Sequence, residues 1–155
     1  MINVRRYQAG DKNILARLFT ETIHVIPAAD YSPEQVDVWA GDPPDLECWL
    51  DQVAGRMVLV AEHGSEIVGF TTFEANGHLN HLYVHHRFQR RGAASALLRQ
   101  IEVEAASRGI RCIFTEASIT ARPFFEHIGF RVIAPQSVEV KGISFLNYRM
   151  EKFLA

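Results

Sequence analysis

The residues with the most chemistry in this chain lie between Leu79 and Gly109. Their centre is the loop His85-His86-Arg87-Phe88-Gln89-Arg90-Arg91-Gly92-Ala93-Ala94. An apolar strand-like run, Leu82-Tyr83-Val84, leads in. A helix leads out, with Ala94, Leu97, Leu98, Ile101 and Ala105 at helical spacing and Gly109 as the stop signal. A strand that turns through small residues into a helix start leaves several N–H groups unpaired and aligned. With the positive end of the helix dipole they form a place for a diphosphate. Gly92, Ala93 and Ala94 let a phosphate approach the backbone, and Arg87, Arg90 and Arg91 supply charge. No Gly-Lys-Ser/Thr ending and no G-x-G-x-x-G is present, so neither a P-loop nor a Rossmann turn is expected. The competing reading of this loop alone is a solvated basic turn before an ordinary surface helix.

Four of the seven histidines cluster here, His78 and His81 just before the loop and His85 and His86 at its start. His78 and His81 are three apart on a strand, so alternation puts them on opposite faces. No carboxylate or cysteine motif completes a metal site, and none is expected. The chain has 16 basic and 18 acidic residues, a net charge of −2, which gives no pull toward nucleic acid. The arginines near position 90 form a local patch suited to a small anion. Cys48 and Cys112 are far apart and suggest no disulfide framework, so a reducing cytoplasm is expected. The start lacks an apolar signal-peptide core, and no run approaches the ~20 apolar residues of a membrane helix.

At 155 residues one domain, 1–155, is the simplest division. Ile2 to Tyr7 alternates as a strand. Asp11 caps a helix from Lys12 to about Val25, which Pro27 stops. Ser32-Pro33-Glu34-Gln35 starts a short helix carrying Val36 and Trp39, ended by Gly41-Asp42-Pro43-Pro44. A further helix is expected from Leu46 to Val53. Strands follow at Met57–Ala61, Ile67–Phe73 and Leu79–Val84, with turns at His63-Gly64-Ser65 and Asn76-Gly77. After the long helix come a strand at Ile110–Thr115 and a short helix from Ser118 to Gly129. Strands at Phe130–Ala134, Val138–Val140 and Ile143–Met150 finish the chain, the last two joined through Lys141-Gly142. The order implies an α/β fold: a mixed, mostly antiparallel sheet with helices on both faces.

The loop Gln89-Arg90-Arg91-Gly92-Ala93-Ala94 resembles the Gln/Arg-x-x-Gly-x-Gly/Ala signature of the GCN5-related N-acetyltransferase family. A second stretch, Ala121-Arg122-Pro123-Phe124-Phe125-Glu126-His127-Ile128-Gly129-Phe130, resembles its Ala-x-x-Phe-Tyr-x-x-x-Gly-Phe. Within the family the chain is similar to the YafP-like bacterial group, through Asp30-Tyr31-Ser32, His81-Leu82-Tyr83-Val84, Ala117-Ser118 and Asn147-Tyr148-Arg149-Met150. The resemblance implies transfer of an acetyl group from acetyl-CoA to a primary amine of a small molecule or peptide, in a ternary complex without a metal. It also implies that Leu79–Val84 and Ile110–Ala117 are parallel neighbours that splay apart, with the pantetheine arm between them. The same fold holding acyl-CoA as a sensor, without turnover, is the alternative.

The resemblance places the diphosphate on Gln89, Arg90, Arg91, Gly92, Ala93 and Ala94. It places the pantetheine along Leu82, Tyr83 and Val84, with Ser118, Phe124 and Phe125 nearby. The oxyanion donor is by position the N–H of Tyr83 or Val84. The family's tyrosine acid is replaced by Phe125, which leaves Tyr148, a water, or departure of the thiolate with no acid at all. For the base, His81 with an ordinary pKa near 6.5 is favoured and Glu74 comes second. His24, Tyr31 and Trp39 are candidates for the acceptor pocket, and edge strands near the C-terminus offer a way to form a homodimer.

Overall fold

The pleat alternation of the N-terminal strand and the apolar runs that follow it build a first antiparallel sheet. A computed structural model of the chain describes residues 1–40 and 55–154. The expected terminator Gly41–Pro44 and helix Leu46–Val53 lie outside the described residues. β1 is Ile2–Arg6, β2 Met57–His63, β3 Glu66–Phe73 and β4 Leu79–Val84, paired in that order. A second antiparallel sheet has the order β5-β7-β6, with β5 Cys112–Ser118, β6 Arg131–Val140 and β7 Ile143–Phe153. The described helices are α1 Lys12–Val25, α2 Pro33–Ala40, α3 Ala93–Ser107 and α4 Arg122–His127.

The two sheets meet where β4 and β5 run parallel. Contact there is one isolated bridge, His78 to Phe114, with the Phe114 N–H on the Gly77 carbonyl at 3.0 Å. Just beyond it the buried Thr115 hydroxyl donates to the Leu79 carbonyl at 2.8 Å. Neither strand pairs with the other past that point, and the strands part. Gly77 permits the approach. Its φ is +98°, and a Cβ there would sit 2.3 Å from the Cys112 carbonyl oxygen.

The main core lies between α3 and the sheets. Leu97, Leu98, Ile101 and Ala105 pack on Leu59, Phe73, Leu79, Ile113 and Met150. These are the α3 positions expected at helical spacing. α1 covers the opposite face of the first sheet through Leu15 and Leu18, against Val60 and Phe70. Ile23, Tyr31, Val36 and Phe145 form a third cluster that ties α1 and α2 to β7.

Several boundaries differ from the sequence reading. The short helix begins at Arg122, not Ser118, because Ser118 Oγ accepts the Ala121 N–H at 3.0 Å and closes a turn first. The segments 130–134 and 138–140 form one strand. It carries Pro135 and a bulge between Val132 and Ala134, both tolerated because β6 is an edge. Lys141 and Gly142 take φ of +50° and +78°, a two-residue hairpin turn of the type expected.

Candidate active site

The loop after β4 is braced from within. Gln89 Nε2 donates to the Val84 carbonyl at 2.6 Å, and the His85 carbonyl accepts the Phe88 N–H at 2.8 Å. Arg90 (φ +61°) and Gly92 (φ +86°) both take left-handed backbone to turn into α3. The first helical bond runs from the Ala96 N–H to the Gly92 carbonyl. Among the described residues no protein group accepts from the N–H groups of Gly92, Ala93, Ala94 or Ser95. These are the orphan donors of a helix start, and nothing lies within 4 Å of where a Gly92 Cβ would be. Arg90 and Arg91 are exposed, with the Arg91 guanidinium 5.3 Å from the Phe88 ring centre.

The edge of β4 decides which amides face the fork. The His85 N–H bonds the Val68 carbonyl of β3, and the His81 carbonyl accepts from Thr71 Oγ1 of β3. Alternation then turns the Leu82 and Val84 N–H groups toward β5 and that of Tyr83 toward β3. Of the two amides expected as oxyanion donors, that of Val84 faces the fork and that of Tyr83 is directed into the sheet. The Tyr83 ring lies on the opposite face, edge-on to Phe19 at 5.0 Å. Burial pushes its phenol pKa up.

That face lines a cavity of about 470 Å³, with Phe19, Tyr31, Trp39, Tyr83 and Phe145 as its aromatic wall. Its polar lining is Arg56, Asn80, His81, Glu116, Ser118 and Asn147. Tyr31 and Trp39, two of the candidates for an acceptor pocket, are part of this lining. The Tyr31 hydroxyl is committed to the fold: it donates to the Leu146 carbonyl at 2.7 Å and accepts the Ile119 N–H at 3.0 Å. His24 is not part of the lining. Its Nδ1 lies 2.8 Å from the Thr20 carbonyl and its Nε2 3.5 Å from Asp37, so it links α1 to α2.

A bulge in β4 rearranges the histidines. Thr72 pairs with His81 and Phe73 with Leu79, so Asn80 is the extra residue. The bulge cancels the alternation expected between His78 and His81, and both come to the cavity side. His81 Nδ1 is 2.8 Å from Thr72 Oγ1. Burial, then the charges of Arg56 and His78, lowers its pKa to about 4. The expectation of an ordinary imidazole near 6.5 is thus corrected to a neutral, weakly basic ring.

Glu74 is not an isolated base. His78 Nδ1 lies 2.9 Å from its Oε1, Asn80 Nδ2 bonds the same oxygen, and Arg56 Nε is 3.7 Å away. The other His78 nitrogen, Nε2, is 2.6 Å from Glu116 Oε1. Glu116 above all, then Glu74, raises the His78 pKa against the opposing effect of burial. Among the described residues no group of three His, Cys, Asp or Glu is arranged to hold a metal ion.

Tyr148 lies on the other face of β7 from Phe145 and Asn147, with the Arg122 guanidinium 4.5 Å above its ring. Phe125 is buried against Phe130, with ring centres 5.0 Å apart, and belongs to the core. Phe124 is only partly covered. Glu116 and Asn80 were absent from the sequence reading, and Asn147 entered it only through the resemblance, with no role. Glu116 had a signal: Phe114, Glu116 and Ser118 alternate against the buried Ile113, Thr115 and Ala117.

Comparison with known proteins accords with this arrangement. A family model described as the acetyltransferase (GNAT) domain matches residues 27–152. The chain is 35% identical over 149 residues to the uncharacterised N-acetyltransferase YafP of Escherichia coli K12, covering 96% of this chain and 94% of that one. The GCN5-related N-acetyltransferase (aminotransferase, class-II) of Rhodopseudomonas palustris superposes with a TM-score of 0.94 at 29% identity, over 98% and 95% of the two chains. The PaiA N-acetyltransferase of Thermoplasma acidophilum, solved with coenzyme A, has a TM-score of 0.81 at 19% identity, covers 99% of both chains and shares the fold. The parted strands, the unpaired loop donors and these matches together place the chain in the GNAT acetyltransferase family.

Proposed function

We propose that the chain, as one domain over residues 1–155, transfers an acetyl group from acetyl-CoA to a primary amine of a small molecule or peptide, both substrates being bound together. The observation that carries this reading is the parting of β4 from β5 beyond Thr115, together with the unpaired donors of Gly92 to Ser95 in the turn that follows β4. Those N–H groups, with Arg90 and Arg91, are suited to the diphosphate. Gln89 braces the turn that presents them. Leu82 and Val84 offer strand-edge amides to the pantetheine arm and to the oxyanion. Ser118, proposed as a cofactor contact, lines the aromatic-walled cavity at the end of β5. Phe124 and Tyr148 pack beside the main core at the fork's α3 side, where Tyr148 is the proposed proton donor to the departing sulfur. The acceptor occupies the aromatic-walled cavity, with His81 as a neutral wall group and weak proton acceptor. The cavity volume suits a small molecule or a single side chain.

The cytoplasm is the proposed compartment. No described helix is long and apolar enough to cross a membrane. A second copy pairing along β6 is proposed for a homodimer, since that edge exposes Ile133, Val138 and Val140. Thiol release from acetyl-CoA over a panel of amines, beside a coenzyme A thermal-shift measurement, tests the function. Turnover is expected on at least one amine. A stability shift with no thiol release on any of them points to the sensor alternative.

A further inference from the structure

We propose that Glu116 docks and deprotonates the acceptor amine, and that His78 and Glu74 hold it in position. This rests on the acetyltransferase reading above and assigns a residue that its catalytic set lacked.

Glu116 stands on β5 one residue beyond Thr115, whose hydroxyl closes the fork. It lines the cavity with His81 and Asn80, and its side chain keeps 35% of its surface exposed. It therefore faces both the acceptor space and water. His78 holds one carboxylate oxygen, Oε1, at 2.6 Å. The amine is assigned to Oε2. The ring that holds Glu116 is itself fixed on three sides. Nδ1 meets Glu74 at 2.9 Å, the imidazole stacks on Phe114 at 4.9 Å and 12°, and the His78 backbone makes the bridge to β5. Asn80 and Arg56 anchor Glu74 in turn. The charged or titratable groups around the cluster are Arg56, His81, and Arg149, which pairs with Glu116 in register and lies 3.5 Å from Glu151.

The carboxylate suits an amine that arrives as ammonium. An opposite charge draws it in, and His78, whose pKa the same carboxylate raises, holds Oε1 in place and leaves Oε2 to the amine. Burial leaves His81 too weakly basic for this first proton. Glu116 takes one N–H proton and becomes a neutral carboxyl. The nitrogen lone pair forms the N–C bond and the C–S bond breaks. The sulfur leaves with the bonding pair and takes a proton from Tyr148, which the second amine proton replaces. Glu116 then returns its proton to water, so that ammonium and thioester give amide, thiol and one free proton.

The test uses the full chain with acetyl-CoA and the amine panel. Glu116→Gln keeps an oxygen acceptor for His78 and removes the charge. Its kcat/KM for the amine is expected to fall about 100-fold or more, within the range of general-base effects, with the coenzyme A thermal shift unchanged. Glu116→Asp is expected to recover part of the loss. His78→Gln is expected to move the acidic limb of the pH–rate profile upward by about one unit or more, because the carboxylate loses the imidazole that holds it. A Glu116→Gln enzyme within about threefold of native, or His78→Gln activity lowered with the limb unmoved, overturns the proposal. If the native chain turns over none of the amines, the acetyltransferase reading itself fails. An NMR titration of the imidazoles then still judges the cluster. His78 is expected to titrate above 6.5 and to drop in Glu116→Gln, and a ring indifferent to that change sinks the arrangement.

Discussion

His78 and His81 are three residues apart and respond to pH with opposite signs. Glu116 above all, then Glu74, raises the His78 pKa from its ordinary value. The contribution of His78 to stability is complete below the unfolded value near 6.5 and is lost as pH rises through the higher folded value. His81 is held neutral, chiefly by burial, with its pKa lowered to about 4. The unfolded chain takes up that proton near 6.5, so the fold loses stability as pH drops from 6.5 toward 4. Urea unfolding across that window is expected to show a smaller acid loss in His81→Gln than in the native chain. Gly92 is the second residue whose role is local. Its φ of +86° costs a side chain about 1–2 kcal/mol, and a Cβ meets no neighbour. Gly92→Ala is therefore expected to fold with a small loss. Gly92→Glu adds bulk and a like charge in front of the donors, and is expected to abolish the coenzyme A thermal shift while leaving the far-UV spectrum unchanged.

At the scale of elements, the fork depends on a few polar contacts that stop the strands from closing or drifting. Thr115 Oγ1 and the Leu79 carbonyl make the last link before β4 and β5 part, and both are buried. Thr115→Val keeps the shape but leaves the carbonyl unpaired. It is expected to cost about 1–3 kcal/mol of unfolding free energy in denaturant titration. Tyr31 performs a similar task on the acceptor side. One hydroxyl joins the segment before α2 to β7 and to the residue after β5. Tyr31→Phe is expected to destabilise by a similar amount and to raise the amine KM, because the ring that walls the cavity loses its anchor. Failure of the amine KM to change would place Tyr31 in the fold alone.

For the whole molecule, the same fork sets both ligand geometry and thermal stability. A ligand that bridges two sheets meeting at one backbone bridge stabilises the folded state by mass action. At 100 times Kd the gain is about 2.7 kcal/mol, which for a chain of this size is a rise of roughly 5–10 °C in Tm. Coenzyme A is expected to produce that shift in the native chain. No shift at millimolar coenzyme A would remove the diphosphate site from the account.

The amino-acid sequence by itself determined most of the elements and the turn that leads into α3. The periodicity of Leu97, Leu98, Ile101 and Ala105, the turn residues Asn76-Gly77 and Lys141-Gly142, and the small residues at 92–94 each act through their own backbone and immediate neighbours. Only the tertiary structure decided which polar residues meet. The one-residue bulge at Asn80 reverses the facing of Leu79 and of His78 just ahead of β4, and no periodic pattern announces it. Glu74, His78 and Glu116 come from a hairpin and a strand about 40 residues apart in sequence, a separation within reach only through the fold. The basicity of His81 likewise depends on what buries it, a property of three-dimensional packing that a string of residue types does not contain.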